Sequence, residues 1–190
     1  LKDGVNVSST QAQNCSSARN GRELWGVPWI ENDTKQEKRK SCCVSRSFGK
    51  KVEKLRELKE SVTSYCLNAA ENIRSESLVS KSITVFIRTS PFQNKGIFYS
   101  NSKTIDFPIA TNNSIEIVKN ALTGLNLIYK DGFKYQKAGI ILSGLSDSEK
   151  GNSLFKSTKD EKIKNLMQSI DSTNYRYGRS TISLASAGIN

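Results

Sequence analysis

Two apolar stripes at helical spacing, each set between β-rich runs, constrain the fold of this chain more than anything else in it. Val52, Leu55, Leu58, Val62, Tyr65, Ala69 and Ile73 recur at steps of three and four, which predicts an amphipathic helix through residue 74. Ile115, Val118, Leu122, Leu125 and Ile128 repeat the pattern and predict a second helix over 111–129, with Asn112, Asn113 or Ser114 as candidate cap. Four runs read as strands: SCCVSRSFG, closed by Gly49; SITVFIRTSPF, stopped by Pro91; IFYSNSKTIDFP, interrupted around Asn101 and ending at Pro108; and FKYQKAGIILSGL. The order βαββαβ over residues 41–145 predicts an α+β two-layer sandwich, a four-stranded sheet with both helices on one face and the other face free for a ligand. Beyond it, Ile163, Leu166, Met167 and Ile170 suggest a short helix over 159–171. A small strand at Ser180–Leu184 would complete a C-terminal helix/strand extension.

Charge narrows the partner. The 190 residues carry a formal net charge of +11, and such an excess favours a polyanion through counterion release, nucleic acid before anionic lipid. No run of about 18 apolar residues and no signal-peptide pattern is present, so a cytosolic protein is expected. The four cysteines, Cys15, Cys42, Cys43 and Cys66, show no C-x-x-C spacing, and the chain has no histidine. That argues against a structural zinc and against Ser-His or Cys-His nucleophiles. Reduced cysteines are expected, with Cys42 and Cys43 on opposite faces of a strand, and a metal or redox role for them is the least supported class. The first residue is Leu1, not Met, so a fragment, a processed product or a non-standard start is expected.

RELWGVPWIE, SRSFG, SITVFIRTSPF, YSNS, YQKAGIIL and YGRSTISLASAGIN follow one another from Arg22 to Asn190. In that order they resemble the C-terminal part of the UmuC family, catalytic subunits of bacterial DNA polymerase V among the Y-family translesion polymerases. The resemblance implies a little-finger domain gripping primer-template DNA along its backbone during SOS DNA repair, in a bacterial, nucleoid-associated, cytoplasmic setting. It divides the chain into a mobile or non-matching segment at 1–21, which does not look like the expected thumb helices, and a linker with a Trp-rich edge at 22–40. The little finger then covers 41–145, a loop with a partial clamp motif 146–158, and a C-terminal extension 159–190. Palm and fingers are not represented, so no polymerase activity is expected of this chain alone and no cofactor for it. Magnesium would belong to the palm, and Asp147 and Glu149, in a loop, cannot replace its carboxylates. Damaged or primer-template DNA, the sliding clamp and UmuD-type subunits are the implied partners. The alternative function is a truncated, non-catalytic interaction module for the clamp or polymerase partners.

Candidate DNA contacts follow from residue types. Ser45, Ser47 and Gly49 share one strand face, while Val44, Arg46 and Phe48 share the other. Small residues let a phosphate approach backbone N–H groups, and Arg46 could pair with it bidentately, although an ordinary edge strand with a solvated arginine has the same pattern. Alternation alone leaves open which face is free. Arg88, Lys103, Lys134 and Lys137 would add charge from the other strands, giving contacts that are indifferent to base sequence and weakened by salt. Lys50, Lys51, Lys54, Arg56 and Lys59, interleaved with Glu53, Glu57 and Glu60, read as a solvated helix face with i,i+4 pairs. In GNSLF, Leu154 and Phe155 occupy two anchor positions of the family's clamp motif, with Gly151 where its Gln is expected.

Overall fold

The structure, a computed structural model, describes residues 39–91, 98–147 and 158–188, apart from the side chains of 158–160. Trp25, Trp29, Gly151, Leu154 and Phe155 lie outside the described residues, as do Glu149 and Cys15.

The first strand, β1, runs from Ser41 to Val52 and turns Cys42, Val44, Phe48 and Val52 toward the helices. Its pairing slips between Ser47 and Val52, where Gln136 Nε2 donates to the Phe48 carbonyl at 2.9 Å and satisfies the displaced backbone. Helix α1, Leu55–Ser75, buries Leu58, Val62, Cys66, Ala69 and Ile73 along one stripe. Its outer face carries the Arg56–Glu60 pair at 3.0 Å, four residues apart, whereas Lys50, Lys51 and Val52, expected on this helix, belong to β1, which runs past Gly49. Ser77, at φ 55°, turns the chain into β2, Leu78–Thr89.

The third strand, β3, spans Ser100–Thr111 without a break at Asn101, and it passes Pro108. Asn101 Oδ1 accepts from Ser102 N at 2.8 Å, so its amide bonds along the strand instead of interrupting it. Pro108 is tolerated because β3 is an edge strand and lies where the β2 pairing shifts between Ser82↔Asp106 and Ser80↔Thr111. Helix α2, Ser114–Ile128, is capped by Asn113, whose Oδ1 accepts from Ile115 N at 3.0 Å. Then come β4, Tyr135–Ser143, and the two-residue β5, Ser146–Asp147, paired with Val79 and Leu78 of β2. Asp147, expected in a loop, is therefore in a strand.

The sheet order is β1-β4-β2-β3, with every pair antiparallel. Ile83, Val85, Ile87, Ala138, Ile140 and Leu142 are fully buried against α1 and α2, each large aliphatic side chain contributing about 1.5–3 kcal/mol. The predicted α+β sandwich is the observed one.

The C-terminal extension differs from expectation. Helix α3 runs from Thr158 to Tyr177, longer than 159–171, and seats Met167 at 4% exposure. No strand forms at Ser180–Leu184. That segment lies against α1 and α3, where Leu184 packs onto the core. Asn174 takes its backbone instead: Nδ2 donates to Ile182 O at 3.0 Å and Oδ1 accepts from Ile182 N at 2.8 Å. A short 3-10 turn follows at Ala185–Ala187.

Candidate nucleic-acid interface

Register decides which side chains share the helix-free face. Residues paired across antiparallel strands point the same way, so four rows cross it: Ser47–Lys137–Arg88–Ser100, Ser45–Gly139–Phe86–Ser102, Cys43–Ile141–Thr84–Thr104 and Ser41–Ser143–Ser82–Asp106. The intervening rows, such as Val44–Ile140–Val85–Lys103, face the helices.

This splits the predicted basic residues. Arg88 and Lys137 stand directly opposite each other on the open face, flanked by the hydroxyls of Ser47 and Ser100. Arg46 and Lys103 have the opposite parity, so the four strands do not all bring a base to one surface. Arg46, on edge strand β1, lies by α1: burial pushes the Tyr65 phenol up, and the Arg46 guanidinium opposes that shift. Lys103 sits on edge strand β3 beside the helix-facing Ile105. Lys134 precedes β4 and pairs with Glu53 Oε1 at 2.9 Å, both ends more than half exposed. Gly49 sits in the slipped part of β1 with open space where a Cβ would be. Ser45 and Ser47 fall in the rows of the face opposite α1 and α2.

Two cations directly opposite each other repel, and neither Arg88 nor Lys137 meets a carboxylate among the described residues. Asp106, in the same face, is six residues along the strand from the Arg88 row, about 20 Å away and beyond a Debye length of about 8 Å. The face is therefore cationic at one end only. Between the ends lies a field of hydroxyls, with Thr84 Oγ1 and Thr104 Oγ1 2.8 Å apart.

Phe86 and Gly139 form the middle of the surface, and neither was anticipated. A Cβ built on Gly139 would overlap both the Ser45 Cβ and the Phe86 ring, so the glycine is what lets the ring lie down across β4. The alternation in YQKAGIIL puts Lys137, Gly139 and Ile141 on one side, which was the signal for it. Cys43 is exposed on this face, whereas Cys42 and Cys66 are buried on the other side, their thiols pushed up by burial. Among the described residues no cluster of three potential metal ligands occurs, and no helix is long and apolar enough to cross a membrane.

Comparison with known proteins identifies this domain. Residues 39–154 match the impB/mucB/samB family C-terminal domain, and residues 164–190 match a domain of unknown function, DUF4113. MucB of Salmonella typhimurium is 34% identical over 173 residues, and UmuC of Salmonella typhimurium strain LT2 is 32% identical over 174. Each alignment covers 90% of this chain and 41% of the relative, so the chain spans well under half the length of those proteins. A solved insertion ternary complex of Dbh DNA polymerase aligns with 73% of this chain and 36% of its own, at 12% identity and a TM-score of 0.46. With more than half of its residues matched, the chain belongs to the impB/mucB/samB family and carries that family's C-terminal domain.

Proposed function

We propose that this domain grips primer-template DNA along its phosphate backbone as the little finger of an error-prone translesion polymerase acting in the SOS response. The observation that carries the proposal is the Arg88–Lys137 pair, two like charges held side by side, without a carboxylate partner among the described residues, on the hydroxyl-lined sheet face opposite α1 and α2. A phosphate between them would relieve their repulsion and accept a forked pair of bonds from the arginine. Serine hydroxyls at Ser47 and Ser100 suit the same ligand, and none of these groups reads a base edge. Nucleotidyl transfer and its magnesium ions belong, in this proposal, to other parts of the parent enzyme, and this domain's share is the grip.

The test is duplex binding by the full chain across a salt series. Binding should fall linearly on a log-log plot, and Arg88→Ala with Lys137→Ala should weaken all duplex sequences alike while reducing the slope by about two. A slope unaltered by the double substitution would rule out phosphate contact at this pair.

A further inference from the structure

The stretch Tyr175-Arg176-Tyr177-Gly178-Arg179 closes α3 inside the segment matched to a domain of unknown function. Tyr175 is 92% exposed and Tyr177 67%, more than any other large apolar side chain described. Neither phenol makes a hydrogen bond to the described residues. On a frayed tail this would mean little, but the tip is held. Gly178 N donates to Asn174 O at 3.1 Å, Thr181 Oγ1 donates to Gly178 O at 2.8 Å, and Asn174 clamps Ile182 from both sides. Gly178 at φ 110° and Ser180 at φ 67° fold the chain back; for serine that backbone is unfavourable and persists only where the surroundings impose it. The rings are thus presented in a fixed setting, which lowers the ordering cost of binding.

Charge and geometry select the occupant. From residue 172 to 190 there are two arginines and no Asp or Glu, and Asp171 is already engaged by Arg74. The Arg176 guanidinium lies 5.5 Å from the Tyr177 ring centroid, and Arg179 is exposed, sharing the small cavity beneath the turn with Glu71. Two residues apart on a helix, the tyrosines diverge by about 200° around the axis. They offer two separate ring faces with cations between and beyond them, not one apolar floor for a protein segment. Bases in a single strand have free π faces that stack on such rings, while in a duplex those faces are covered by neighbours.

We propose that the Tyr175–Arg179 tip is a second nucleic-acid site, selective for single strands, in which the tyrosine rings stack bases and Arg176 and Arg179 meet the linking phosphates. It uses none of the sheet-face residues and stands independently of the duplex grip.

The test measures binding of the full chain to labelled oligothymidylate, to duplex DNA and to inorganic polyphosphate, which has the charge without bases. Tyr175→Ala with Tyr177→Ala should lose about fivefold or more in oligothymidylate affinity for each ring. Tyr175→Phe with Tyr177→Phe should retain it. Duplex and polyphosphate binding should be unmoved, and the melting temperature also, since both rings are in solvent. Retention of oligothymidylate affinity by the alanine pair would overturn the site, as would an equal loss on polyphosphate or a tyrosine requirement seen only with a protein partner. Loss of duplex binding in Arg88→Ala with Lys137→Ala reports on the sheet face alone, so either site can fail without the other.

Discussion

At the scale of single residues, Gly139 is the position where chemistry and packing meet. It lies between Ser45 and Phe86 in one cross-strand row, and any side chain there would occupy the space of the Phe86 ring. Gly139→Ala should destabilise the domain by about 1–3 kcal/mol, the usual cost of overpacking, as read by urea denaturation. Because the ring must then lift off β4 and roughen the surface beside Arg88 and Lys137, duplex affinity should fall even in conditions where the variant remains folded. A variant with unchanged stability would show that the ring moves freely and that the close approach is incidental. The adjacent cysteines that stand out in SCCVSRSFG divide as strand alternation requires, one outward and one into the core, and they share no site.

At the scale of elements, the attachment of α3 rests on a small number of groups. Arg74 of α1 donates from Nε and Nη2 to the two carboxylate oxygens of Asp171 at 2.6 and 2.7 Å, and from Nη1 to Asn112 O and Ser114 Oγ, both at 2.8 Å. One guanidinium therefore joins α1, the start of α2 and α3. Arg74 is 12% exposed and Asp171 27%, so solvent screens the pair only in part. Asp171→Ala should cost about 1.5–3 kcal/mol, the range for hydrogen bonds to a charged group, below the roughly 3–5 kcal/mol of breaking a fully buried pair. The loss should be local. Hydrogen exchange in α3 and in the Asn174–Ile182 turn should accelerate while β2 and β4 remain protected, and uniform acceleration across the sheet would show that α3 is integral to the core. None of this was legible in the sequence, because Arg74 and Asp171 are 97 positions apart and no periodicity links them.

At the scale of the whole molecule, the net positive charge matters less than where it lies. Arg46 and Lys103 are as basic as Arg88 and Lys137, yet the register turns them to the helix side of the two edge strands. Arg46→Ala with Lys103→Ala should therefore leave the salt dependence of duplex binding within about half a unit of the parent, against the change of about two expected for the open-face pair. An equal effect of both pairs would mean that binding follows diffuse charge and not a face. The order of elements and the layer they form follow from local patterns in the chain. The stripes of Leu55–Ile73 and Ile115–Ile128 and the alternating β runs are local patterns of period 3.6 and 2, and burying them together leaves few arrangements other than helices on one side of an antiparallel sheet. The tertiary structure decided which of two opposite strand faces is free, since alternation separates Ser45 from Arg46 without saying which points outward. That choice depends on pairing β1 with β4 and β4 with β2, contacts roughly 50 to 100 residues apart in the chain, and a one-residue slip in any of them would exchange the two faces entirely.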